Sequence, residues 1–143
     1  MKNLVWLIFF GCIHMYSQDK KEMVSMSKTY QKPYKLGAVY YKKGTNTPFT
    51  GILYGKYDNG NLMTIQEFVN GIGNGKWTDY DPLGNKVCEG TYLNNKVEGP
   101  VKFFYEDGSL KSEGQYLDWK RPIGLWKYYD KKGNLVHKMT FTR

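Results

Sequence analysis

The sequence predicts an all-β protein of tandem antiparallel β-hairpin repeats that join into an elongated, twisted single-layer sheet. Three observations predict it. A glycine recurs at Gly51, Gly75, Gly99 and Gly124, in steps of 24, 24 and 25 residues. A second glycine follows each of these nine residues later, at Gly60, Gly84, Gly108 and Gly133. An aromatic follows eight residues after that, at Phe68, Tyr92, Tyr116 and Phe141. Three landmarks held in register through four copies mark a repeat architecture, in which one supersecondary unit is stacked on itself.

The first 17 residues stand apart from this array. Met1-Lys2-Asn3 is followed by the apolar run Leu4–Tyr16, then by Ser17 and a charged stretch. A basic start, a short apolar core and a small residue before the charges are the pattern of a secretory signal peptide. Crossing a membrane takes ~20 apolar residues, so this run is too short to span one comfortably. Cleavage is expected after Ser17; the alternative is a lipoprotein anchored at Cys12, against which the apolar residues after that cysteine argue. Export to the periplasm or the medium is the expected address. Residues 18–37 are rich in lysine, show little periodicity and read as a flexible basic leader. The repeat region is expected to occupy 38–143.

Within each copy, two runs rich in aromatic and β-branched residues flank a polar turn that ends in glycine. The turns are Asp58-Asn59-Gly60, Asp81-Pro82-Leu83-Gly84, Glu106-Asp107-Gly108 and Lys131-Lys132-Gly133. Glycine supplies the positive φ that a tight connection needs. Two strands of about six residues with a short loop make one hairpin. Glycine recurs too often for helix to compete. In the second strand of the third copy, Ser112, Gly114 and Tyr116 share a face with Leu110, while Lys111, Glu113 and Gln115 take the other. Gly90 and Gly114 fall at one repeat position, where an aromatic from a neighbouring strand is expected to lie across the backbone. One hairpin is marginal in water, so stability must come from stacking several.

These residues resemble the MORN repeat in its bacterial variant. Gly124, Trp126, Tyr129, Gly133 and Leu135 carry the first part of the family pattern, and Glu89, Gly90 and Tyr92, or Glu113, Gly114 and Tyr116, carry the second. Tyr40–Gly44 and Pro48–Gly51 are similar to the lead-in of such bacterial proteins. The resemblance covers roughly residues 38–143. It implies an interaction module and no enzyme, and some bacterial members are described as antitoxin or immunity components. The first copy departs most, with Leu53, Lys56 and Ile65 in place of Trp, Tyr and Glu, which suits a capping role.

Composition narrows the chemistry. The chain has 21 Lys+Arg against 13 Asp+Glu; without Lys2 the exported form carries +7. Lysines dominate, and Arg121 and Arg143 are the only arginines, so bidentate phosphate recognition has little to work with. Nucleic acid is not an expected partner. Anionic lipid or glycan is an alternative to a protein partner, and no cofactor is implied. After export one cysteine, Cys88, and one histidine, His137, remain. They occupy one repeat position two hairpins apart, about 19 Å, which defeats a dyad. Too few ligand types remain for a compact zinc site. Glu89 and Glu113 share a position ~9.6 Å apart, near the upper end for a pair of glycosidase carboxylates, yet both belong to the repeat pattern. What remains is a surface. The first strands set aromatics side by side, and the expected binding residues are Trp77, Tyr80, Phe104, Tyr105, Trp126 and Tyr129.

Overall fold

A computed structural model describes residues 21–118 and 121–142 of the chain. The expected signal peptide and Cys12 lie outside the described residues. The strands in order are β1 (Met23–Ser25), β2 (Thr29–Tyr34), β3 (Gly37–Lys42), β4 (Gly51–Lys56), β5 (Leu62–Val69), β6 (Ile72–Tyr80), β7 (Lys86–Leu93), β8 (Lys96–Phe104), β9 (Leu110–Leu117), β10 (Arg121–Tyr129) and β11 (Leu135–Phe141). Nine of them form one open sheet in the order β1-β4-β5-β6-β7-β8-β9-β10-β11, and β2 and β3 pair separately. The repeat region is therefore four antiparallel hairpins laid side by side, as the sequence predicts.

The register explains the three landmarks. The aromatic that closes each copy pairs with the glycine that opens it: Phe68 with Gly51, Tyr92 with Gly75, Tyr116 with Gly99 and Phe141 with Gly124. The second glycine closes the turn. In all four turns the first residue's amide donates to the carbonyl four residues on, as Tyr57 does to Asn61 and Asp130 to Asn134, both at 2.9 Å. Gly60, Gly84, Gly108 and Gly133 then hold φ between 82° and 91°, a region open to glycine without Cβ strain. Between copies the chain turns on Asn70-Gly71 and Asn94-Asn95, with positive φ at both residues of each pair. Those are the two-residue loops whose twist matches the flanking strands. Leu117 pairs with Arg121 across three intervening residues, against two for Val69–Ile72 and Leu93–Lys96. That one residue is the 25th of the long step.

One feature departs from simple alternation. Each second strand carries an extra residue just after the turn, at Met63, Val87, Lys111 and Val136, where the register shifts by one. Such a bulge turns the residue before it to the opposite face. Leu110 therefore pairs with Phe104 and does not share the face of Ser112.

The core is a row across one face of the sheet. Leu53, Trp77, Val101 and Trp126 stand at one repeat position and are 0%, 5%, 2% and 5% exposed. Large first-strand residues alternate with small second-strand ones: Trp77 pairs with Gly90 and Val101 with Gly114. The indoles of Trp77 and Trp126 lie on Gly90 and Gly114, so close that an added Cβ would overlap the rings. This is the close approach expected from sequence at those glycines. Tyr92 tilts against Trp77 at 5.8 Å, and Tyr116 and Phe141 meet Trp126 edge-on at 5.1 and 6.1 Å. A single layer thus buries its core by folding long aromatics down onto backbone that carries no side chain.

Within the segment expected to be a flexible leader, residues 23–34 form β1, a short 3-10 turn and β2. β1 lies parallel to β4, with Val24 opposite Leu53. Val24, Phe49, Leu53 and Phe68 form a second core cluster, with Met26 and Tyr40 against it. The β2–β3 hairpin is tied to the inter-copy turns: the Tyr40 amide donates to the Gly71 carbonyl at 2.9 Å, and the Asn95 side chain donates to the Ala38 carbonyl at 3.0 Å. Even a basic residue here packs, with Lys32 4.7 Å above the Tyr41 ring. The lysines hid this from a compositional reading. The packing comes from Val24 and Phe49 covering Leu53, and those contacts join segments distant in sequence.

Candidate binding surface

The six aromatics expected to bind divide between the two faces. Trp77 and Trp126 are on the core face and are nearly fully buried; they support the sheet from behind. Tyr80, Phe104 and Tyr129 share one repeat position on the opposite face and are half-buried. Each comes next to a core-face residue (Asp79, Phe103 or Tyr128), so the pleat alone reverses its direction. Tyr105 lies in the turn beyond Phe104, and its hydroxyl donates to the Tyr129 carbonyl at 2.9 Å. Tyr57 makes the same bond to the Tyr80 carbonyl at 2.8 Å, so the turns of neighbouring copies are tied in pairs.

The pairing partners of these aromatics complete a row near the turns: Lys56–Leu62, Tyr80–Lys86, Phe104–Leu110 and Tyr129–Leu135. Each second-strand member reaches this face through the bulge beside it. Lys86 stands 5.1 Å above the Phe104 ring and also pairs with Glu89 at 2.9 Å. At the first-copy end the row opens into a cleft of about 640 Å³, lined by Met23, Tyr54, Lys56, Leu62, Ile65 and Tyr80 among others. Of these only Tyr80 was expected from sequence. The first copy reads as a cap there, and the bulge that brings Leu62 beside Lys56 leaves no mark in the alternation of residue types.

A second row runs parallel to the first, two residue pairs further from the turns, the pair between them facing the core. Thr78, Glu89, Lys102, Glu113, Lys127 and Lys138 are successive cross-strand partners. Glu113 accepts from Lys127 at 3.3 Å and from the Tyr129 hydroxyl at 2.8 Å. The Tyr129 bond, followed by the lysine, holds the Glu113 carboxyl below its ordinary pKa, and the same carboxylate holds the Tyr129 phenol above its own. That state is the reverse of what a general acid needs, since such a group must keep its proton near neutrality. Glu89 and Glu113 stand on either side of Lys102, which opposes both.

Cys88 and His137 are four strands apart through Phe103, Ser112 and Tyr128, as their repeat position predicts. Among the described residues no group of three or more His, Cys, Asp or Glu side chains is placed to hold a metal ion. The turn carboxylates serve structure: Asp81 and Asp130 each accept from the asparagine four residues on, and those bonds, the side-chain one foremost, lower their pKa.

A family model, the MORN repeat variant, matches residues 97–118 and 122–142, which are the third and fourth hairpins. Comparison with curated proteins and with solved structures gives no match. Repeats of this family are generally associated with protein or membrane-lipid binding, and the family is typically a non-enzymatic module. The third and fourth hairpins thus carry the MORN repeat variant, and the first two repeat their register without being matched by that model.

Proposed function

We propose that the chain is an exported binding module that captures a protein partner on the face carrying Tyr80, Phe104 and Tyr129. One observation carries this reading: these rings form a half-exposed row beside a ladder of charges, on the face away from the buried tryptophans. Half-exposed aromatics bordered by charged residues have the composition of a protein interface, where rings supply area and charges set register. Trp77 and Trp126, also expected to bind, contribute by holding the strands beneath that row. Export rests on the first 17 residues, with acylation at Cys12 as its minor variant. An antitoxin or immunity role rests on family resemblance, and such a partner would have to act outside the cytoplasm.

A second reading has its own observation, the net charge of +8 carried almost wholly by lysine. Lysines draw a chain toward anionic lipid or glycan, and such attraction is screened by salt. The test is a pull-down from envelope and supernatant fractions at low and high salt, with Tyr80→Ala/Phe104→Ala beside the wild type. A protein retained in high salt and lost by the variant is the expected result. Capture of anionic lipid alone, lost in high salt and indifferent to the variant, would replace the first reading with the second.

A further inference from the structure

We propose that the outer edge of β11 accepts an extended acidic segment of another protein as an added antiparallel strand. This site is the edge of the sheet, separate from the aromatic row on its face. The two ends of the sheet differ. At the first, β4 is covered by β1, with Val24 buried against Leu53. At the other, β11 runs seven residues and its first six are exposed. The same repeat positions are covered inside the array: Thr64, Cys88 and Ser112 are buried where His137 is exposed, and Leu62 and Leu110 are half-buried where Leu135 is 44% exposed. The difference is the neighbour: β5, β7 and β9 each have a first strand on the side where, among the described residues, β11 has none. A strand edge of this kind offers main-chain donors and acceptors in a row, the geometry that takes up an added strand.

Charge selects the occupant. Along the ladder Glu89, Lys102, Glu113 and Lys127 alternate in sign, and then Lys138 follows Lys127. Lys127 is paired with Glu113, and no ion pair among the described residues includes Lys138. An acid opposite Lys138 restores the alternation. A second copy of the chain does the reverse. Antiparallel pairing centred on Lys138 would set lysine against lysine, and centring on Met139 would gather Lys127 and Lys138 of both copies with no acid between them. Like charges directly opposite one another oppose pairing. The edge is guarded against itself and open to an acidic strand.

The probe is a labelled peptide of residues 96–104, which is β8, carrying K102E. β8 lies against β7 with residue 102 opposite Glu89, so on β11 the glutamate would face Lys138. Its control keeps the lysine. Binding to the full chain is followed by fluorescence anisotropy and by amide exchange. The expected result is that the acidic peptide binds about five-fold or more tightly than the control, slows exchange over 135–141, and loses its preference in K138Q. In K138E the ranking should invert. Circular dichroism confirms that each variant is folded. Equal binding of the two peptides, no binding by either, a preference that survives K138Q, or protection elsewhere would each overturn the proposal. So would a concentration-dependent dimer of the chain that protects β11. Tyr80→Ala/Phe104→Ala should leave the ranking unchanged, so failure at the face and failure at the edge read separately.

Discussion

Replacing Gly114 by alanine tests how this single layer buries its core. Neither Gly114 nor Gly90 has a positive φ, so alanine meets no backbone strain at either site and the contrast is steric. At Gly90 the new Cβ would stand 2.9–3.1 Å from Cζ2, Cε2 and Nε1 of Trp77. At Gly114 it would stand 2.6 Å from Cγ of Trp126, and nearer still to Cδ2 and Cε2. Carbon contacts settle near 3.5–4.0 Å, so the Trp126 ring must retreat by about 1 Å or more and the Trp77 ring by roughly half that. Trp126 has little room, with Tyr116, Phe141 and Phe103 at 5.1, 6.1 and 6.4 Å. Overpacking costs about 1–3 kcal/mol, which places Gly114→Ala near 3 and Gly90→Ala near 1–2. With a urea slope of about 1–3 kcal/mol/M, the Gly114→Ala midpoint should fall by ~1–3 M. The assay is urea unfolding followed by circular dichroism and tryptophan fluorescence together, because an array of repeats can lose two-state behaviour. In a Trp126→Val background the alanine should cost almost nothing, giving a large coupling in the double-mutant cycle. A wild-type midpoint for Gly114→Ala, a larger loss for Gly90→Ala, or no coupling would refute the reasoning.

Trp77→Ala should lower stability by about 3–5 kcal/mol, while Tyr80→Ala on the opposite face should cost far less; equal urea midpoints for the two would deny the division of faces. Val24→Ala should cost about 1.5 kcal/mol through two lost methyl groups, and an unchanged melting curve would mean that β1 is not docked in solution. Glu113 has its pKa lowered by Tyr129 and Lys127, so its folded value lies below its unfolded one. Its contribution is therefore full above the unfolded value, near 4.3, and is lost as pH falls through the folded value. At this half-exposed site it should amount to under about 1 kcal/mol, and the gap between wild type and Glu113→Gln should narrow as pH falls below the unfolded value and close once the folded carboxylate is protonated. Asn95→Gly keeps a residue suited to the positive φ but removes the bonds to the Ala38 carbonyl and the Gly73 amide. Amide exchange should then quicken in β2 and β3 and stay slow in β6 and β7; uniform change would show that Asn95 is not the tie.

Much of the fold was legible because the repeat is written in residues with one plausible use. Gly60 and its equivalents can only be turns, and Gly51 and Phe68 keep a fixed spacing because they face each other across one hairpin. Gly90 and Gly114 announced a ring on the backbone, and Trp77 and Trp126 supply it. The distance between Cys88 and His137 also followed from copy number alone. The candidate surface was legible only in part. Six aromatics were visible as a group, but their division between faces depends on the pleat, and Trp77 and Trp126 went to the core. The bulges at Met63, Val87, Lys111 and Val136 escaped notice because an extra residue beside a turn leaves the residue types unchanged. The packing of residues 23–34 escaped for another reason. Its evidence is that Val24 covers Leu53, and no local pattern records a contact between segments so far apart.

The sequence by itself determined the class of fold, the number of hairpins and their order, since hairpin pairing is local and each copy repeats the instruction. The tertiary structure alone decided what lies on top of what: which aromatics are buried, which end of the sheet is covered and which is open, and where Lys138 stands without an acid across from it. Those outcomes depend on register and on contacts between distant segments. Neither can be read from a chain until the strands are placed side by side.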